Sequence, residues 1–213
     1  INRCMKFMVY RFYLGILLMV NIIFLNAQMP TSFTTERLCA EKATNSHENY
    51  LSQIISNRQV QEVYYNNLDE ASFNNIPAQL EIINNQWDKY GYGLYIIFNK
   101  ETSEFIGFAG FHSTAIIDDE NKTVDVLSAQ ERDELEIYGL FMPNHWRKGY
   151  ASEVGKELIK LAFKHLQHTS IIACIEPKNE ASLGLIKKFD FKEEKQVNYN
   201  NEPHILYRLK KQN

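Results

Sequence analysis

Residues Phe141-Met142-Pro143-Asn144-His145-Trp146-Arg147-Lys148-Gly149-Tyr150-Ala151 force three changes of backbone state in quick succession. An apolar, strand-like run stops at Pro143, which cannot donate to a ladder, a basic loop turns through Gly149, and a helix opens at once. Ala151, Val154, Leu158, Leu161 and Ala162 recur at helical spacing, while Glu153, Lys156, Glu157, Lys160 and Lys164 take the other face. One side of that helix must be buried. The loop amides and the positive helix end then point to one place and suit a pyrophosphate. A Cβ at Gly149 would hold phosphate oxygens away from those amides, and Arg147 and Lys148 add full charges. The plainer alternative is an ordinary strand-to-helix turn, which uses the same residue types.

Further on, Ile171 to Ile175 reads as a short buried strand, broken by Glu176-Pro177-Lys178-Asn179. Asn179 is a credible N-cap for a second helix with Leu183, Ile186 and Phe189 on its apolar stripe, ending near Asp190. Two strands follow, Phe191 to Tyr199 and His204 to Leu209, with Asn200-Asn201-Glu202-Pro203 as turn chemistry. Upstream, strands are expected over Arg37 to Ala43, Leu94 to Phe98 and Phe105 to His112, and over the segment holding Glu134, Glu136, Tyr138 and Leu140. Helices are expected over Glu48 to Ser56 and Ile76 to Tyr90, with Asn99 to Thr102 and Asp118 to Asn121 as polar turns. A chain of 213 residues, 45% of them hydrophobic, can bury one ample core, and the mixture of patterns argues for α/β or α+β layers around one sheet.

The run from Trp146 to Ala151, then Asn179-Glu180-Ala181-Ser182, then Lys188-Phe189-Asp190-Phe191, resembles the GNAT superfamily of acetyl-CoA-dependent N-acetyltransferases. Within it the pattern is similar to the RimJ/RimL-like branch related to ribosomal-protein alanine acetyltransferases. Phe33 to Leu38, Trp87 to Gly93 and Glu104 to Phe108 agree with that branch, so the likeness runs from about Thr34 to about Leu209. It implies a GNAT fold, a central twisted mixed β-sheet flanked by helices and splayed between the strand before Pro143 and the strand at Ile171–Ile175. It also implies acetyl-CoA as cosubstrate and no metal, with Leu140, Phe141, Met142, Trp146, Arg147, Lys148, Gly149, Tyr150, Ala151 and Asn179 around the cofactor. Two residues depart from the branch, which commonly has glycine where this chain has Arg147 and Asp190. Aspartate tolerates the left-handed turn expected at a helix end, at some cost.

The implied reaction is direct transfer of an acetyl group to a primary amine, a protein N-terminus or a small molecule, within a ternary complex. The protonated amine must lose a proton before attack, and a fixed carboxylate suits that step. Glu136 is the candidate, Glu134 on the same strand face competes, and a solvated edge glutamate is the bland reading. Main-chain donors near Leu140 to Met142 are expected to hold the oxyanion, and Ser182 matches the position from which related enzymes protonate the departing thiolate. Ser182 also suits a plain first-turn serine. Tyr64, Tyr65, Trp87, Phe111 and His112 supply candidate aromatic walls for the substrate, although aromatics at such spacing are usually core. A non-catalytic acyl-CoA sensor or scaffold is the competing function.

A net charge of −3 argues against nucleic acid as the main partner. Three scattered cysteines without ligand spacing read as reduced thiols, consistent with a cytoplasmic protein, monomeric or homodimeric, without stable membrane association. Residues 1–28 carry Arg3, Lys6 and Arg11 before an apolar run from Phe12 to Leu25, the look of a secretory signal peptide. Two readings stand: export, or an over-extended N-terminus ahead of a single N-acetyltransferase domain over residues 29–213.

Overall fold

The computed structural model describes residues 28–64, 76–112, 116–117, 123–124, 135–199 and 202–212. Strands β1 (Ser32–Thr34) and β2 (Leu38–Lys42) lead to helices α1 (Glu48–Ile55), α2 (Arg58–Tyr64) and α3 (Ile76–Tyr90). Then come β3 (Leu94–Asn99), β4 (Phe105–His112), the short β5 (Ile116–Ile117) and β6 (Thr123–Val124), and β7 (Glu136–Phe141). Helix α4 (Tyr150–His165), β8 (Ser170–Ile175), α5 (Glu180–Lys187), β9 (Lys192–Tyr199) and β10 (Glu202–Lys210) complete the chain. Among the described residues the strands form one sheet in the order β1-β2-β3-β4-β7-β8-β10-β9-β5-β6.

Most of these elements match their sequence patterns to within a residue or two. The α2 helix lacks a sequence signal of its own because Arg58 to Tyr64 is short and mostly polar and buries Val60 while Val63 stays exposed. Glu202 and Pro203 belong to β10 rather than to the preceding turn, since Pro203 is paired with Asn198 across the hairpin. Asp190 adopts φ 62°, the left-handed turn expected where a glycine is usual.

Side chains alternate between the two sheet faces. Tyr95, Ile97, Ala109, Phe111, Ile171, Ala173 and Tyr207 pack on one face against Val154, Leu158 and Ala162 of α4 and Ile186 of α5. Ile96, Phe108 and Leu140 pack on the other against Leu51 and Ile54 of α1, Val60 of α2 and Leu80 of α3. Met29 joins the first core at 2% exposure, and its amide donates to the Gly91 carbonyl at 2.8 Å. No helix among the described residues is long and apolar enough to cross a membrane.

The sheet is antiparallel except between β7 and β8, which run parallel and meet in register only at Glu136 and Ile172. The Ile172 amide donates to the Leu135 carbonyl at 2.8 Å at that apex, and beyond it the ladder opens. Close backbone approach keeps the neighbouring strands tight: a Cβ on Gly110 would collide with the Gly93 carbonyl oxygen across the β3–β4 pair. Gly110→Ala is expected to destabilise the fold by about 2 kcal/mol, measured as a lower urea midpoint at unchanged m-value. An unchanged midpoint would show that β3 and β4 have room to part.

Candidate active site

Pro143 opens a single 3-10 turn, Pro143–His145, after which Trp146 turns its indole back and donates to the Phe141 carbonyl at 2.6 Å. The loop is thereby pinned to the end of β7. Arg147 at φ 60° and Gly149 at φ 84° both take left-handed backbone, and Gly149 caps α4. A non-glycine residue there is strained, which accounts for glycine being usual in the resembling branch at the Arg147 position. The amides of Gly149, Tyr150, Ala151 and Ser152 are the first four of the helix and make no hydrogen bond among the described residues. These are the amides read from the sequence as a candidate anion cradle. Arg147, Lys148 and Gly149 are exposed beside it.

A clamp from the far edge of the sheet holds this loop. Arg37, just before β2, donates from Nε to Glu153 Oε2 at 2.7 Å and from Nη1 to the Lys148 carbonyl at 3.0 Å. Its guanidinium carbon lies 4.6 Å from the centroid of the Tyr150 ring. Glu153 also accepts from the Arg37 amide at 2.8 Å and from the Thr35 hydroxyl at 2.5 Å. Burial alone would push the Glu153 carboxyl up, but the bonds from Thr35 and Arg37 outweigh it and hold the carboxyl below its ordinary range. A carboxyl lowered by folding stabilises the fold above its unfolded pKa, and that contribution is lost as pH falls through the lower folded value. The clamp is therefore fully formed at neutral pH. Sequence reading placed Arg37 only within an opening strand, because its partner lies 116 residues away.

A cavity of about 200 Å³ fills the opening between β7 and β8. Ala109, Ile137, Phe141 and Ala173 line it on the α4 side with Ala151, Val154, Asn179 and Ser182, while His112, Glu136, Tyr138, Cys174 and His204 line it toward the opposite face. The cavity thus reaches both faces of the sheet. Of the expected site residues, Glu136, Ser182, Phe141, Ala151, Asn179 and His112 come together there.

Glu136 is no solvated edge residue: it is 6% exposed and lies at the apex of the opening. Its Oε1 accepts from the Cys174 amide at 3.1 Å, while its Oε2 is buried without a hydrogen-bond partner among the described residues, 3.7 Å from His112 Nε2. Burial pushes the His112 imidazole below its ordinary pKa, and the nearby carboxylate pulls only part of the way back. Asn179 accepts from the Ser182 amide at 3.0 Å, so its side-chain oxygen is committed to capping α5.

Several expectations need correction. Trp87 and Phe111 are fully buried and do not line the cavity; Trp87 Nε1 donates to the Leu94 carbonyl at 3.1 Å within the core. The Met142 amide is spent on the Ile106 carbonyl at 2.9 Å, and by antiparallel alternation Leu140, paired with Phe108, also bonds toward β4. Neither amide is left for an oxyanion. The intervening Phe141 and Gly139 amides face the opening, whereas that of Ile137 serves the parallel bridge between Glu136 and Ile172. Glu134 and Tyr65 lie outside the described residues, as does the Tyr64 side chain.

An opened parallel pair, a helix N-terminus at its mouth and a buried carboxylate at its apex are the equipment of an acyltransferase using a phosphorylated carrier. The family described as acetyltransferase (GNAT) domain matches residues 37–192, and the chain belongs to that family. GNAT acetyltransferases use acetyl-CoA. The uncharacterized N-acetyltransferase p20 of Bacillus licheniformis is 30% identical over 160 residues, 75% of this chain and 82% of that protein. Among solved structures, a ribosomal-protein-S5-alanine acetyltransferase from Vibrio fischeri superposes with a TM-score of 0.66 at 14% identity, covering 85% of this chain and 97% of its own. Aminoglycoside acetyltransferase AAC(6')-Ib, solved in complex with coenzyme A, gives 0.63 at 15% identity, covering 82% and 95%.

Arg37→Ala is expected to raise the KM for acetyl-CoA about tenfold, the scale of a lost charge-assisted clamp. With S-acetylpantetheine, which lacks the pyrophosphate, the variant and wild type should be equal. Equal losses with both donors would mean that Arg37 acts elsewhere.

Proposed function

We propose that this acyltransferase moves the acetyl group of acetyl-CoA to a primary amine by direct attack in a ternary complex. The observation that carries the reading is Glu136 Oε2, a buried carboxylate oxygen without a hydrogen-bond partner among the described residues, at the junction of the two cavity faces. An unpartnered buried anion is costly, and an N–H donor arriving from the acceptor side removes that cost. The pyrophosphate rests on the amides of Gly149 to Ser152, with Arg147 and Lys148 beside it, and the pantetheine arm enters between β7 and β8. The Phe141 amide faces the thioester oxygen, a change from the donors expected at Leu140 and Met142. Ser182, partly buried on the first turn of α5, supplies the hydrogen bond for the departing thiolate.

Polar groups aimed into the opening favour turnover over a non-catalytic acyl-CoA sensor, which has no need of a proton acceptor. The acceptor is a protein N-terminus, as the RimJ/RimL-like sequence pattern suggests, or a small-molecule amine.

Thiol release from acetyl-CoA, followed with an alanyl peptide, spermidine and an aminoglycoside, tests the reading and sorts these acceptors. Glu136→Gln keeps an oxygen for the Cys174 amide and removes the charge. It is expected to lower kcat/KM for the accepted amine about a hundredfold, with acetyl-CoA affinity by calorimetry unchanged. Full turnover by that variant would remove Glu136 from the reaction.

A further inference from the structure

His112 and Glu136 are directly opposite each other on the antiparallel β4–β7 pair, so their side chains share one sheet face, the face away from α4. His112 lines the cavity and its side chain is 24% exposed, whereas Glu136 is nearly sealed. The gap of 3.7 Å between His112 Nε2 and Glu136 Oε2 is too long for a hydrogen bond. It is short enough for one small donor to reach both atoms. Glu136 cannot swing toward solvent without abandoning the Cys174 amide, so of the two groups it is the fixed one.

We propose that His112 Nε2 and Glu136 Oε2 together seat the acceptor nitrogen, and that His112 takes its proton while Glu136 holds and orients the ammonium. This rests on the acetyltransferase reading above. The ammonium donates one N–H to each atom and gives the first proton to His112 Nε2. The freed lone pair forms the C–N bond with the thioester carbon. The C–S bond then breaks with its electron pair on sulfur, the second amine proton ends on that sulfur, and His112 returns its own to solvent. One proton is released per acetyl group transferred, so protons and electrons balance.

The division of labour follows from the surroundings. A histidine in a partly buried site is neutral at physiological pH and can accept, and the adjacent carboxylate stabilises the imidazolium that forms. Among the described residues, the titratable groups lining the cavity with it are Glu136 and Tyr138 of β7, Cys174 of β8, Glu176 just beyond it and His204 of β10. Tyr138 lies against the ring, with centroids 4.7 Å apart.

The test compares wild type, His112→Gln and Glu136→Gln with acetyl-CoA and the three amines named above across pH. His112→Gln is expected to lower kcat at least tenfold at unchanged KM for acetyl-CoA. It should also erase the acid limb of kcat/KM, which in wild type rises with pH as His112 deprotonates. Glu136→Gln should instead raise the KM for the amine. His112→Gln with normal turnover and an unaltered acid limb would overturn the assignment and leave the acetyltransferase reading intact. Wild-type protein that binds acetyl-CoA and acetylates none of the amines would overturn the reading itself. A second measurement follows the His112 ring by NMR in the acetyl-CoA complex: added spermidine should shift its pKa in wild type and not in Glu136→Gln. No shift in wild type would contradict the shared seat.

Discussion

The structure depends on one substitution of side chain for backbone: the Glu136 carboxylate takes the Cys174 amide at the point where the β7–β8 ladder opens. Opening a sheet in its interior leaves main-chain donors unpaired, at about 1–3 kcal/mol for each one that is buried. Because Glu136 accepts from the first such donor, the strands can part inside the core. The parting creates a cavity that reaches both sheet faces. In the proposed reaction the cofactor arm and the acceptor meet there from opposite sides, which a closed parallel pair would forbid.

The loop before α4 is held by a different device. Two left-handed residues, Arg147 and Gly149, aim the first amides of α4 outward. The strain at Arg147 is balanced by contacts that tie the loop to the sheet: Trp146 pins it to β7, and Arg37 ties Lys148 and Glu153 to the far edge. Glu153 serves twice, since a carboxylate on the first turn of a helix also meets the positive end of the helix dipole. The cradle therefore owes its shape to tertiary contacts as much as to its own glycine.

Local patterns made much of this legible. Helical stripes, the Asn179 cap, the proline stop and the basic glycine loop each specify a backbone state within a few residues, and α4, β8 and α5 lie where those signals put them. Glu136 was readable as a strand glutamate and as a candidate base, but not as a buried one, because its burial comes from β8 and its partner is the Cys174 amide, 38 residues on. The Arg37 clamp was hidden for the same reason. Trp87 and Phe111 show the opposite error: an aromatic at strand or helix spacing looks alike whether it faces a ligand or the core, and here both are core. Which strand amides face the opening follows from pairing register, which no residue type encodes.

The most direct test of the splayed-sheet account is amide hydrogen exchange on the full chain with and without coenzyme A. The account predicts new protection at Gly149 to Ser152, the proposed seat of the pyrophosphate, and at Phe141, facing the opening between β7 and β8. Binding that left these amides exchanging as fast as before, with protection appearing elsewhere, would contradict it.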